Sequence, residues 1–148
     1  HVLERREEEI PLANRNHPSL YLAIIDLDHF KQVNDNHGHH SGDEVLSRFG
    51  RIASQSLRKS DLLARYGGEE FVVLFPHASQ SACEAALERL RQQFSEQHYD
   101  FAPSLQTTFS AGLTAFQEGE TADQLTKRAD TALYEAKSHG RDRIISLP

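Results

Sequence analysis

The sequence predicts an α/β fold of the α+β kind, a mixed sheet of about five strands flanked by helices. Three features point there. Short β-branched apolar runs alternate with longer stretches of helical periodicity. Two of the runs, 61–66 and 71–75, are separated only by Gly67-Gly68-Glu69-Glu70, which reads as a β-hairpin, so the sheet is not all parallel. No repeat, low-complexity tract or linker divides the 148 residues, which suit one domain, 1–148, with its own core.

Taken in order, residues 2–9 are charged and helix-prone and end near Pro11. Residues 14–18 read as a turn. Residues 20–27 (LYLAIIDL) form a nearly continuous apolar run, the pattern of a strand buried on both faces. Residues 34–42 are polar and contain glycine, which predicts a loop. Ser41-Gly42-Asp43-Glu44 has capping-box form and opens an amphipathic helix over 43–58, with Val45, Leu46, Phe49, Ile52, Ala53 and Leu57 inward. In the hairpin, Gly67-Gly68 is expected to supply positive φ. Ser81-Ala82-Cys83-Glu84 is a second capping box, for a helix that buries Cys83, Leu87, Leu90 and Phe94. Residues 106–115 alternate as a strand. Thr121-Ala122-Asp123-Gln124 caps a third long helix facing inward with Leu125, Ala129, Leu133 and Ala136, which Gly140 stops from the C′ position. Residues 143–147 read as a last strand.

Composition narrows the function. With 38% hydrophobic and 26% charged residues the chain is globular rather than disordered. A net charge of −6 is a poor match for a nucleic-acid backbone, so any phosphate must be held by a few local Lys, Arg and N–H groups. The lone cysteine, Cys83, permits no intramolecular disulfide and fits a reducing compartment. No apolar run approaches the roughly 18 residues a membrane span needs. The expectation is a cytoplasmic domain without membrane contact. A chain that starts at His1 rather than Met reads as a piece of a longer protein, itself free to be membrane-anchored.

Three charged features carry chemistry. Asp26 and Asp28 stand at the end of the first buried strand, where a carboxylate is costly unless solvated, paired or on a metal. Glu69 and Glu70 are adjacent acids in a tight turn. A hard divalent cation would relieve their repulsion, and two such ions about 4 Å apart would form a phosphoryl-transfer site. Ordinary solvated turns also carry such acids, and spacing alone does not separate the two readings. Lys137 and Arg141, four apart near a helix end, suit phosphate or simply the helix dipole. Residues 28–31 follow the strand where a helix can begin, with free N–H groups for phosphate.

Arg65-Tyr66-Gly67-Gly68-Glu69-Glu70-Phe71 resembles the signature of the GGDEF-domain family of diguanylate cyclases in its GGEEF form. Asp26-Leu27-Asp28-His29-Phe30-Lys31, Asn34-Asp35, Gly38-His39 and Gly42-Asp43 resemble the family's DxDxFKxxND…GHxxGD segment. Residues 129–137 with Gly140-Arg141 resemble its ADxALYxAKxxGRN tail, with Asp142 where Asn is usual. The matches are in order over residues 20–145. The resemblance implies a fold related to the nucleotidyl cyclase and polymerase palm, with the hairpin at the active site. It implies condensation of two GTP into cyclic di-GMP and pyrophosphate with two Mg²⁺ (or Mn²⁺) ions per site. Asp26, Glu69 and the Leu27 carbonyl would hold metal; Glu70 would serve the second ion and the attacking hydroxyl. Asn34 and Asp43 would read guanine, Leu46 would pack on the base, and Phe30 and Lys31 would complete the GTP site. Gly67 and Gly68 would admit the nucleotide, and Lys137 and Arg141 would neutralise its terminal phosphates.

Each domain of this family binds one GTP, so a homodimer and an upstream sensory or dimerising domain are implied. Arg58 and Asp61 fit the family's RxxD inhibitory site for cyclic di-GMP, joined by Arg89. The alternative is a catalytically silent cyclic di-GMP receptor using that site. The family's LTxLxNR segment is missing: taking residues 2–9 as the first helix puts it before His1. His37, His39 and His40 lack the further ligands of a zinc site, and His39 is expected to brace the 34–42 loop.

Overall fold

The computed structural model describes residues 19–148; the expectations on residues 2–9 and 14–18 lie outside them. The strands are β1 (Tyr21–Leu27), β2 (Leu62–Arg65), β3 (Glu70–Phe75), β4 (Phe109–Ala115) and β5 (Arg143–Leu147). The helices are α1 (Phe30–His37), α2 (His39–Ser56), α3 (Gln80–Ser95) and α4 (Ala122–Ser138). The sheet runs β2-β3-β1-β4-β5, antiparallel throughout except for the parallel β4–β5 pair. This is the expected mixed five-stranded sheet flanked by helices.

β1 lies at the centre and is buried on both faces, as its unbroken apolar run requires. Ala23, Ile25 and Leu27 face the layer of α1, α2 and α3, while Leu22 and Ile24 face α4. Phe49 of α2 stacks on Phe71, Phe94 and Phe109 at centroid distances of 4.6, 5.3 and 5.8 Å, binding α2 to β3, α3 and β4. On the opposite face α4 sits close to the sheet because β4 has Gly112 beneath it. A Cβ there would run into the backbone of Ala129 and Leu133. That approach brings the last turn of α4 over the end of β1.

The sequence misplaced several local features. Residues 34–42 are not a loop: α1 and α2 meet at Gly38, and Ser41 is buried inside α2 rather than capping it. α3 is capped two residues earlier than expected, by Ser79, whose hydroxyl accepts from the Ala82 N–H at 3.2 Å. Gly67 and Gly68 do not have positive φ; among the described glycines that conformation falls on Gly38, Gly119 and Gly140. The α4 capping box forms as expected, with both Thr121 and Gln124 engaged.

Candidate functional site

β1 delivers Asp26 to the α4 face, where it lies opposite Glu70 of β3 in the antiparallel register. Directly opposed residues share a face, and like charges so placed are destabilising. Asp26 is only 8% exposed. The Leu27 N–H donates to the Glu69 carbonyl at 3.1 Å, fastening the glutamate turn to the end of β1. Glu70 has its carboxyl pushed above the ordinary range, first by burial and then by the charge of Asp26, with Lys137 opposing. Lys137, reaching down from α4, donates Nζ to Asp26 Oδ2. It is therefore paired with the acid it was expected to work beside.

Two clefts open here. One, of about 290 Å³, is lined by Asp26, Leu27, Lys31, Glu69, Lys137 and Arg141, with Phe30 at its wall. The other, of about 360 Å³, is lined by Asn34, His39, Asp43, Leu46, Arg65 and Gly68. They share Phe30, Lys31 and Glu69. All the residues assigned by resemblance to metal, phosphate and guanine thus fall on one continuous surface, except that Gly67 and Glu70 border it without lining either cleft. α1 and α2 create the second cleft together. Gly42 permits this: a Cβ on it would overlap the Asn34 side-chain oxygen. His39, expected to brace a loop, opens α2 and lines this cleft.

Among the described residues no three His, Cys, Asp or Glu side chains form a ready-made metal cluster. The oxygens available to a hard cation are the carboxylates of Asp26 and Glu69, with Glu70 beside them and the Leu27 carbonyl at the same strand end. Carboxylate and carbonyl oxygens are the ligands Mg²⁺ prefers. A Cβ on Gly68 would project into open space beside the second cleft, so its absence leaves room against the turn.

Arg65 and Asp28 were named from the sequence, but what they hold was not. Arg65 braces the glycine turn, with Nε donating to the Gly67 and Gly68 carbonyls at 3.1 Å each and Nη2 to Gly68 at 2.5 Å. The signal was an arginine two residues before carbonyls that no strand partner covers. Asp28 has both side-chain oxygens engaged by Thr108, Ser110 and the Asp142 N–H. Those partners are distant in sequence: the β1–β4 pairing brings Thr108 and Ser110 alongside, and the turn after α4 brings Asp142. Arg141 was placed by an i,i+4 helical argument, but α4 ends at Ser138. Arg141 reaches the cleft from a left-handed turn instead, with φ 65°.

A second cluster lies apart. Arg58, Asp61 and Arg89 line a pocket of about 160 Å³ with Cys83 and Phe75. Arg58 folds onto Asp61, with Nε at 3.1 Å and Nη2 at 2.8 Å from Oδ1, and its backbone N–H reaches Oδ2 at 2.8 Å. Among the described residues no helix is long and apolar enough to cross a membrane.

Residues 1–143 match the family model described as "Diguanylate cyclase, GGDEF domain". Diguanylate cyclase DgcP of Pseudomonas aeruginosa is 45% identical over 142 residues, which are 95% of this chain and 21% of that protein. The crystal structure of diguanylate cyclase SiaD in complex with its activator SiaC, also from P. aeruginosa, superposes with a TM-score of 0.93 at 41% identity. It covers 99% of this chain and 56% of that one. The coiled coil and GGDEF domain of DgcB from Caulobacter crescentus, in complex with c-di-GMP, gives a TM-score of 0.94 at 29% identity, covering 99% of this chain and 78% of that one. The chain thus spans about a fifth of DgcP and about half of SiaD.

Proposed function

The chain belongs to the GGDEF-domain family of diguanylate cyclases, and from that premise we propose that it condenses two GTP molecules into cyclic di-GMP in a cytoplasmic setting. The observation that carries this reading is the pair of clefts joined at Phe30, Lys31 and Glu69, one setting the carboxylates of Asp26 and Glu69 beside Lys31, Lys137 and Arg141, the other carrying Asn34 and Asp43.

The cleft with Asn34 and Asp43 takes the base. A carboxylate accepts from guanine N1–H and N2–H₂, and an amide donates to O6; adenine offers the opposite pattern. A polar site left without its partners loses binding, so GTP is favoured over ATP. Leu46 supplies the apolar contact. The triphosphate then runs past Lys31 toward Lys137 and Arg141, whose charges meet the terminal phosphates. Two Mg²⁺ ions, or Mn²⁺ in their place, held by Asp26, Glu69, Glu70 and the Leu27 carbonyl would neutralise the phosphates and polarise the α-phosphorus. A new bond forms from one 3′-oxygen to the α-phosphorus of the other GTP. The bond to the bridging oxygen breaks, pyrophosphate leaves, and the hydroxyl proton passes to a carboxylate of the site, a role that falls to Glu70, opposite Asp26 on the adjacent strand. The reaction repeated in the opposite sense closes the ring.

One such surface holds one GTP, so two copies must face each other, and an upstream dimerising or sensory domain would raise their effective concentration. The Arg58–Asp61–Arg89 pocket is proposed as the site of product inhibition. The test is product analysis by mass spectrometry after incubating the protein, fused to a dimerising segment, with GTP and Mg²⁺. Cyclic di-GMP and pyrophosphate are expected. Absence of both from a folded, dimeric protein overturns the reading.

A further inference from the structure

Resting on that reading, we infer that Asp28, Asp142 and Arg91 are positioning residues that hold the turn carrying Arg141 against the triphosphate cleft. Arg141 and Asp142 are consecutive non-glycine residues with φ of 65° and 50°. L-residues enter this region reluctantly, and a pair of them persists only where surrounding contacts hold it. The contacts are specific. The Arg141 N–H caps α4 by donating to the Ala136 carbonyl at 2.9 Å. The Asp142 N–H donates to Asp28 Oδ2 at 3.0 Å. Asp28 is itself fixed by the hydroxyls of Thr108 and Ser110, each at 2.7 Å, so it is anchored to β4 before it grips the turn. From the other side Arg91 of α3 donates Nη1 to Asp142 Oδ1 at 2.7 Å. Arg91 is held in turn by Glu88, whose carboxylate oxygens accept from Nε at 2.7 and 3.0 Å.

The turn is therefore clamped between β4 and α3, and the residue it presents is the arginine that lines the triphosphate cleft. The tail this segment resembles has Asn at the position of Asp142. Here an aspartate receives a charge-assisted bond from a guanidinium, stronger and more directional than an amide would receive. Arg91 lines neither nucleotide cleft, so any effect it has on the substrate passes through the turn.

The test measures binding rather than turnover, by calorimetry with Mg²⁺, using a GTP analogue with an α,β-methylene bridge and, separately, GMP. GMP lacks the phosphates that Arg141 meets. Arg91→Ala is expected to weaken the triphosphate analogue at least fivefold and to leave GMP within twofold. In an Arg141→Ala background Arg91→Ala should add nothing, and Arg91→Lys should restore part of the loss. Equal weakening of both ligands, no weakening of either, or an effect that persists on top of Arg141→Ala overturns the inference. Should Arg91→Ala fail to fold, Asp142→Asn, which keeps the backbone bond to Asp28, is read in the same way with a smaller expected loss. Wild-type protein that binds neither ligand overturns the proposed function together with this inference. Wild-type binding with an unaltered variant overturns the inference alone.

Discussion

The surface at the end of β1 and the Arg58 pocket treat their acids differently. At the end of β1 the carboxylates of Asp26, Glu69 and Glu70 lie near one another; Lys137 is paired with Asp26, and Lys31 and Arg141 line the same cleft. Two of the acids, Asp26 and Glu70, oppose each other across adjacent strands. In the Arg58 pocket the one acid is already matched by a cation. The Asp61 side chain is 2% exposed and receives three hydrogen bonds from Arg58, whose Nη2 also donates to the Pro76 carbonyl at 2.7 Å. Asp61 holds the Arg58 guanidinium above its ordinary range, and Arg89 rests on the Ser56 carbonyl at 3.0 Å. Cys83, at the pocket wall, has its thiol pushed up to about 12 by burial and is inert as a nucleophile. The first region leaves Asp26 and Glu70 opposed as like charges, an imbalance between two acids that a cation would relieve. In the second Asp61 is balanced by Arg58, and a ligand that takes either must displace that pair.

That contrast breaks most visibly on the acids. Glu70→Gln or Glu69→Gln should lower cyclic di-GMP formation by roughly 100-fold or more, measured as product per enzyme at saturating GTP and Mg²⁺. A rate near wild type for either would show that the imbalance serves no cation. At the balanced site Arg58→Ala should weaken cyclic di-GMP binding about tenfold or more, read by calorimetry, while initial turnover at low product is retained. It should also cost about 1–2 kcal/mol of stability. That is less than the 3–5 kcal/mol of a fully buried pair, because the Arg58 side chain is 49% exposed. Unchanged stability in chemical denaturation would show that Asp61 finds another partner.

The sequence disclosed these two regions unequally. β1, the hairpin, α4 and its cap were legible because each follows from local pattern: an unbroken apolar run, a two-glycine reversal, a capping box at the head of a 3.6-residue period. The 34–42 segment was misread as a loop for a physical reason. α1 buries only Phe30 and Val33, too few apolar positions to show a period, and its polar residues line a cleft rather than a coil. The candidate site residues were named through the resemblance, and the β1–β3 register brings Asp26 and Glu70 together. Their electrostatic state was not legible. The pairing of Lys137 with Asp26 spans 111 positions, and that of Asp28 with Ser110 spans 82. The first depends on how close α4 comes to β4, which Gly112 decides, and the second on the β1–β4 register; local pattern reports neither.

A narrower expectation concerns the base. Asp43→Ala should reduce the preference for GTP over ATP about tenfold, the loss of one charge-assisted pair of hydrogen bonds, measured by competition binding. Gly42→Ala should act on the same preference indirectly, since its new methyl must push Asn34 aside. If Gly42→Ala binds GTP as wild type does, Asn34 is not what reads the base, and the cleft between α1 and α2 loses its specificity.

The smallest effect is the most direct measure of the imbalance. Glu70 is raised in the folded state by burial and by Asp26. A carboxyl with a raised folded pKa binds protons more tightly folded than unfolded, so stability falls as pH rises from the unfolded value through the folded one. The penalty is fully present above that window and absent below it. Removing the charge with Glu70→Gln should therefore stabilise the protein near pH 7 by less than about 1 kcal/mol, after allowance for partial exposure. The difference between variant and wild type should shrink on acidification. Mg²⁺ should stabilise wild type more than the variant, because the cation offsets the same repulsion. Denaturation curves at several pH values, with and without Mg²⁺, would test this. A variant less stable than wild type near neutrality would mean that Lys137 already balances the acids, and the distinction between the two regions would then be one of degree.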